Sequence, residues 1–187
     1  MDQVTEDPLM DASDLRTWTE LLDLDGFEVV DVASDRAGKL RRLTVVATGI
    51  AGLCPLCGQV TGERHACHDR EVVDLPLGGW KTRLAVRLFQ FRCERCDKFF
   101  TPRHPALAEG AHATERFLEK LADYAGHGDV STAARFMGVA EKTAEHWYYD
   151  YLGRRRQEPA AQELLPIRSL GIDELSLKKD TGSSAAC

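Results

Sequence analysis

Two short cysteine motifs constrain this chain more than any other feature of its sequence. The motifs are CPLC (54–57) and CERC (93–96), and 35 residues separate them. Paired CxxC motifs are typical of a tetrahedral zinc site, in which four thiolates close the coordination shell of the metal. Zinc would also supply folding free energy that a small β module cannot gain from its core alone. We therefore expect one structural zinc ion with these ligands: Cys54, Cys57, Cys93 and Cys96.

Three other potential ligands lie between the motifs. His65, Cys67 and His68 could replace a cysteine in the shell or could be ordinary exposed loop residues, and the second interpretation is favoured because four cysteines already complete a tetrahedron. Two further alternatives use the same cysteines without zinc. The thiols could be buried without a metal, or a CxxC pair could carry redox chemistry, although no thioredoxin-like βαβ pattern accompanies it.

Charge is distributed unevenly along the chain. The formal net charge is −6, but residues 1–35 hold eleven acids and one base, so residues 36–187 carry a net charge of +4. Between Lys81 and Arg103 there are seven bases and two acids. This local excess is what phosphate contacts require, although an arginine-rich solvated strand face has the same composition. The candidate DNA contacts in this stripe are Arg83, Arg87 and Arg92.

Apolar periodicity predicts an α+β fold. Alternating patterns predict strands over 27–32, 40–47, 70–75 and 84–91, and three- and four-residue spacing predicts helices over 15–24, 115–125, 131–137 and 141–152. The acidic N-terminus does not have the pattern of a signal peptide, and no run approaches the ~18 apolar residues of a membrane helix. We therefore expect a cytoplasmic protein without a membrane partner.

Residues 131–147 match the layout of a helix-turn-helix. Ala134 allows close approach of two helices and Gly138 makes the turn between them. An ordinary helical hairpin with a glycine turn has the same pattern. In a DNA-binding motif the recognition helix would span 141–152. The contacts expected from this helix and the basic run after it are Lys142, Thr143, His146, Arg154, Arg155 and Arg156.

The order of these features resembles that of the ISL-three family of bacterial insertion-sequence transposases. The motifs that carry the resemblance, over about residues 22–179, are CPxCG, DLPLGG (74–79), FRCERC (91–96), FTPR and LGIDELSLKK (170–179). The resemblance implies a zinc ribbon, a DNA-binding helix-turn-helix and a ribonuclease-H-like domain that begins near residue 168. It also implies that the partner is double-stranded DNA at terminal inverted repeats, with an intact transposase as a candidate second partner.

Asp173 matches the first of three carboxylates that hold two Mg²⁺ ions in that family. Family members continue much further and supply a second aspartate and a glutamate, whereas 14 residues follow Asp173 here. We therefore expect a chain that is truncated after its first catalytic aspartate and is not an enzyme by itself. Mg²⁺ would act only in an intact parent.

These inferences divide the chain into five parts. They are a disordered acidic tail (1–13), a β lead-in with the zinc ribbon (14–105), a helix-turn-helix domain (106–157), a linker (158–167) and the truncated first strand of a ribonuclease-H-like domain (168–187). Three other functions stay open: a free-standing zinc-dependent transcription regulator, a chain that donates Asp173 to a site completed by another polypeptide, and a zinc-stabilised protein-interaction module.

Overall fold

One helix opens the described chain, seven strands follow it, and three helices close it. The computed structural model describes residues 11–48 and 52–157. In chain order its elements are α1 (Ala12–Leu22), β1 (Phe27–Asp35), β2 (Leu40–Ala47), β3 (Gly52–Leu53), β4 (Val60–Thr61), β5 (Arg64–Leu77), β6 (Trp80–Cys93), β7 (Lys98–Phe100), α2 (Glu115–His127), α3 (Val130–Met137) and α4 (Glu141–Gln157). The α+β class predicted from the sequence is confirmed.

The two longest strands, β5 and β6, form a hairpin between the cysteine motifs. Leu77 pairs with Trp80 across a two-residue turn in which Gly78 and Gly79 have φ angles of +59° and +78°. A tight hairpin turn needs positive φ at both positions, which glycine adopts without steric cost. The hairpin is longer than the sequence pattern predicts, so the segment 64–69 belongs to a strand and not to a connecting loop.

The hairpin is joined to the lead-in strands in one five-stranded sheet. The strand order is β1-β2-β6-β5, and β7 also pairs with β6. Strand β2 runs parallel to β6, whereas β1 is antiparallel to β2 and both β5 and β7 are antiparallel to β6. The short strands β3 and β4 form a separate pair beside the first cysteine motif. Strand β6 therefore connects the lead-in strands to the second cysteine motif.

Two clusters of buried residues stabilise the described part of the chain. The first lies between α1 and one face of the sheet, and its most buried members are Leu22, Leu43, Val45, Leu84 and Val86. The second is formed mainly by the three C-terminal helices, together with Val73 of β5 and the segment 108–113. Because β5 contributes to both clusters, with Val72 in the first and Val73 in the second, it links the sheet to the helices.

Several expectations from the sequence fall on residues that the structure does not describe. The linker over 158–167, the expected strand over 168–187 and its Asp173 all lie outside the described residues, as does most of the acidic tail. The described residues belong to one compact unit, within which the boundary predicted after residue 105 stays a prediction. No helix in the described ranges combines the length and the apolar character needed to cross a membrane.

Candidate metal centre and nucleic-acid interface

Four cysteines from the two motifs converge at one point. The Sγ atoms of Cys54, Cys57, Cys93 and Cys96 all lie within 4.8 Å of one another, and Cys57 Sγ is 3.6 Å from Cys93 Sγ. The thiols are free, since a disulfide bond would bring two sulfurs to about 2.05 Å. Tetrahedral zinc with Zn–S bonds of about 2.3 Å requires sulfurs roughly 3.8 Å apart. The donor set and its spacing therefore fit a tetrahedral metal ion such as zinc.

The backbone forms a similar turn at each motif. In the first, the Gly58 N–H donates to the Cys54 carbonyl and the Cys54 N–H donates to the Gln59 carbonyl, both at 2.9 Å. Gly58 follows the second cysteine of its motif with φ +70°, and Asp97 follows the second cysteine of the other motif with φ +50°. This left-handed residue directs the chain away from the cluster after each pair of thiols. The local sequence therefore brings the two sulfurs of each pair to the same side of its turn, where one metal ion can meet them.

The four thiols differ in burial and acidity. Cys54 and Cys93 are buried, whereas Cys57 and Cys96 are half-buried. Burial opposes ionisation of Cys54, but backbone N–H groups of Leu56 and Cys57 and the neighbouring thiols outweigh it and lower the pKa of Cys54 to about 7. The hydrogen bond with Cys57, followed by burial, raises the pKa of Cys96 to about 12. Because the thiols exchange hydrogen bonds, the first proton leaves the cluster as a whole, and the neighbouring thiols stabilise the thiolate that forms.

The histidines between the motifs stand outside the cysteine cluster. The His65 ring packs against Phe99 with centroids 4.3 Å apart, and both Cys67 and His68 are exposed on β5. Within residues 11–48 and 52–157, the four cysteines are the one group of three or more potential ligands that meets at a point. The four ligands named from the sequence are thus the four that the structure brings together.

A glycine turn joins α3 to α4. Gly138 has φ +71°, and its N–H donates to the Ala134 carbonyl to end α3. A Cβ atom at Gly138 would lie 2.8 Å from Lys81 Cε, so the turn also fits closely against a side chain of β6. At the other end of α3, Asp129 accepts a hydrogen bond from the Thr132 N–H at 2.8 Å. The two helices and the turn lie where the sequence pattern predicts them.

Helix α4 has a buried side and an exposed polar side. Ala144 is completely buried, and Trp147 packs against the helical core. Lys142 and His146 are exposed, and Thr143 is half-buried. The three side chains predicted to contact DNA bases therefore lie near the N-terminal end of α4, and two of them are fully available to a partner.

The arginines of β6 are each paired with an acid. Nitrogen-to-oxygen distances are 3.1 Å from Arg83 to Glu71, 3.2 Å from Arg87 to Asp69 and 2.7 Å from Arg92 to Asp97. All three pairs are largely exposed, and such pairs contribute about 0–1 kcal/mol to stability. Strand β5 supplies Glu71 and Asp69, which adjoin their arginines only in the folded chain, and Asp97 directly follows the second cysteine motif. The stripe is therefore much less positive than its sequence composition indicates.

The basic run at the end of α4 is divided between two roles. Arg154 lies against the protein, with Nη1 2.8 Å from Glu115 Oε1 on α2 and Nε 3.7 Å from Asp150 Oδ2. Arg155 and Arg156 are exposed. Of the three predicted phosphate contacts in this run, one is therefore an internal link between α4 and α2.

One buried ion pair is not indicated by any of the sequence motifs. Asp74 is 2% exposed, and both its carboxylate oxygens accept hydrogen bonds from Arg116. Thr114, the N-cap of α2, donates to the same carboxylate at 2.6 Å, while Arg116 also donates to the carbonyls of Leu22 and Asp23. The pair thus fastens β5, α1 and α2 together. The available signal was a carboxylate between the apolar residues Val73 and Leu75, which requires a partner if it is buried but does not identify it.

Comparison of the chain with protein-family models, with curated proteins and with solved structures finds no match. The resemblance to ISL-three transposases therefore depends on the sequence motifs alone. The cysteine cluster and the exposed face of α4 are the two features from which a function can be argued.

Proposed function

We propose that this chain binds double-stranded DNA sequence-specifically at the terminal inverted repeats of an insertion sequence, as the DNA-binding part of an ISL-three-type transposase. The observation that carries the proposal is the exposed polar face at the start of α4, directly after a glycine turn. In helix-turn-helix proteins the N-terminal residues of the second helix contact base edges in the major groove. Helix α4 has the position and the exposed side chains for this role.

The side chains on that face suit base recognition. Lys142 can donate to guanine O6 and N7, and His146 and Thr143 can exchange hydrogen bonds with base edges. Ala144 and Trp147 attach the opposite side of α4 to the helical core, so the face is presented on a rigid support. Such support favours a specific interface, because little conformational entropy is lost on binding.

Affinity would come from cations that are not neutralised within the fold. The β6 arginines are compensated by acids, so we assign backbone contacts in this part of the chain chiefly to Arg156, which is exposed near the C-terminal end of α4. Glu141 and Glu145, exposed on the same helix, would repel phosphates. The proposal therefore requires moderate affinity with a shallow dependence on salt, since the slope is about −0.9 for each phosphate neutralised.

We further propose that the metal is zinc and that its role is structural. Four thiolates form a soft, closed ligand set with no position left for a substrate, and this arrangement is typical of structural zinc. The metal would connect β3, β4 and β6 and so order the segments 52–61 and 93–100 at one end of the sheet. It would not contact DNA bases itself.

Selection of duplexes from a random library by the zinc-loaded full chain tests the proposal. Anisotropy titrations then compare the selected duplex with a scrambled one at fixed salt. Lys142→Ala and His146→Ala should each weaken binding to the selected duplex by about 1–3 kcal/mol and binding to the scrambled duplex by less.

Matched controls exist for both substitutions. Lys98 on β7 and His127 at the end of α2 are exposed residues of the same types outside α4, and their alanine variants should leave sequence preference unchanged. The proposal is wrong if no sequence is enriched, or if the α4 variants and the controls weaken binding to both duplexes equally.

The same interface would serve a free-standing zinc-dependent transcription regulator, and the selected sequence separates the two functions. A sequence repeated in inverted orientation at both sides of the coding locus supports the transposase. A single site upstream of a gene supports the regulator. A zinc-stabilised protein-interaction module would enrich no sequence at all.

A further inference from the structure

The first base on β6 differs from the arginines that follow it on the same strand. Lys81 is exposed and forms no ion pair within residues 11–48 and 52–157, whereas Arg83 and Arg87 are each paired with an acid of β5. Lys81 lies at the start of β6, directly after the turn of the hairpin. The fold therefore leaves the charge of Lys81 uncompensated.

The side chain of Lys81 lies against the glycine turn between α3 and α4. A Cβ atom at Gly138 would be 3.1 Å from Cγ, 3.1 Å from Cδ and 2.8 Å from Cε of Lys81. The stem of the lysine therefore runs along the turn, and its ammonium group is one covalent bond beyond Cε. Because Gly138 precedes the first residue of α4 by three positions, this cation lies near the end of α4 to which we assign base contacts.

The turn between β1 and β2 adds positive charge at the same end of the sheet. Strand β2 runs parallel to β6 with Leu40 opposite Lys81, so the turn before each strand lies at that end. The Lys81 N–H donates to the carbonyl of Lys39 at 3.0 Å, and the exposed Lys39 side chain forms no ion pair with any described residue. The other two charges of this turn, on Asp35 and Arg36, cancel.

The start of α4 needs positive charge from outside the helix if it is to approach DNA. Over 141–146 it carries two exposed acids, Glu141 and Glu145, and one base, Lys142, so its net charge is −1 with His146 neutral. This balance repels phosphates. When Lys81 and Lys39 are included, the net charge becomes +1. The sheet therefore supplies the charge that the start of α4 lacks.

We propose that Lys81 contacts a backbone phosphate of the bound duplex, at the edge of the groove that α4 enters, and that Lys39 adds to the positive potential there. This inference rests on the proposed function for its ligand, which is DNA. An ammonium group is a compact charge with three donors, so it binds a phosphate without the fixed geometry that a guanidinium needs. The contact with Gly138 already orders the stem, which reduces the entropy lost on binding.

Lys81 could instead act only within the fold, because a cation near the C-terminal end of a helix stabilises it and Gly138 ends α3. The two roles predict different results for Lys81→Gln. A stabilising role lowers the urea midpoint and leaves the DNA affinity of the folded variant unchanged. A phosphate contact lowers that affinity and reduces its dependence on salt.

The first experiment measures DNA affinity against salt for the zinc-loaded full chain. In Lys81→Gln the slope of log K against log salt should become shallower by about 0.9, for the selected duplex and the scrambled duplex alike. Lys81→Arg keeps the charge and should keep the slope. Lys98→Gln, which changes an exposed lysine of β7, is the matched control and should also keep it. An unchanged slope in Lys81→Gln, or an equal change in Lys98→Gln, would overturn the inference.

The second experiment locates the contact by ethylation interference on the selected duplex. Ethylation of the phosphate that Lys81 contacts should weaken binding of the unmodified chain but should not weaken binding of Lys81→Gln any further. This phosphate should border the base pairs at which Lys142→Ala relaxes sequence preference. If ethylation of the same phosphates interferes with both chains, Lys81 contacts none of them and the inference is wrong.

These results separate failure of this inference from failure of the proposed function. If no sequence is enriched but Lys81→Gln has a shallower slope on the scrambled duplex, the sequence-specific function fails and the phosphate contact stands. If a sequence is enriched and the slope of Lys81→Gln is unchanged, the proposed function stands and the inference is overturned. A chain that binds no duplex would overturn both.

Discussion

The cysteine region and the helical region of this protein are stabilised in different ways. Around the cysteines, over 52–61 and 93–100, large apolar side chains point outwards: Leu53, Leu56, Val60 and Phe99 are each 49–70% exposed. In the helical region, over 115–157, Phe117, Leu118 and Leu121 are at most 1% exposed and lie in a cluster of twelve buried residues.

The difference indicates what the proposed metal would contribute. A segment that exposes its apolar side chains gains little from the hydrophobic effect, so on our proposal its order comes from bonds to zinc. The helices need no such support because each buries an apolar face against the others. The cysteine region should therefore respond to metal removal and the helical region to changes in packing.

Removal of the metal should have the largest effect, and it should be local. Structural zinc contributes an apparent ~10–16 kcal/mol, which is comparable to the whole stability of a domain. In Cys93→Ser, or after chelation, amide hydrogen exchange should become fast over 52–61 and 93–100 while 115–137 keeps its protection. Equal loss of protection in both regions would contradict the contrast, as would no loss in either.

Breaking the buried ion pair should have the next largest effect, and it should be global. Arg116→Ala leaves the Asp74 carboxylate buried without its main partner, which costs about 3–5 kcal/mol of unfolding free energy. The exposed pair of Arg87 and Asp69 provides the control, since Arg87→Ala should cost less than about 1 kcal/mol. Urea denaturation measures both. Similar costs for the two variants would mean that the buried pair does not fasten the sheet to α1 and α2.

Replacement of the turn glycine should have a smaller effect, confined to the helical region. Gly138→Ala places a residue with a Cβ atom in the left-handed backbone conformation, which costs about 1–2 kcal/mol of unfolding free energy. The added Cβ also displaces the Lys81 side chain. Gly62→Ala is the control, because nothing lies within 4 Å of its Cβ position and its φ is not in that region. Zinc content should be unchanged in both. Urea denaturation measures the free energy of unfolding of both variants. An unchanged value for Gly138→Ala would show that the turn is not constrained as described.

The smallest effect expected is a pH dependence from His104. Burial lowers the pKa of His104 below its usual 6.5, although a hydrogen bond with the backbone of Gly26 opposes the shift. The unfolded chain therefore binds this proton more readily than the folded one, and stability should fall as pH drops from about 6.5 through the lowered pKa. His104→Gln should remove this part of the pH dependence. The measurement is the urea midpoint of the zinc-loaded chain at a series of pH values, for the variant and for the unmodified chain. An identical pH profile in the variant would show that His104 does not contribute to it.

The sequence predicted the parts of the fold that follow from local patterns. Paired CxxC motifs identified the four cysteines that converge, and periodicity with a glycine located α3, the turn and α4. What it missed depends on contacts between distant segments. The acids beside Arg83 and Arg87 come from the neighbouring strand β5, and Glu115, the partner of Arg154, is 39 positions away. No local pattern carries this information.

X-ray absorption at the metal edge of the purified full chain tests the central claim most directly. The account predicts one zinc ion per chain with four sulfur neighbours at about 2.3 Å. The Cys96→Ser variant should lose a sulfur neighbour, whereas Cys67→Ser should leave the spectrum unchanged because Cys67 is exposed on β5, outside the cluster. A shell that includes nitrogen, as would arise if His65 or His68 were a ligand, or a folded chain without metal, would contradict the account.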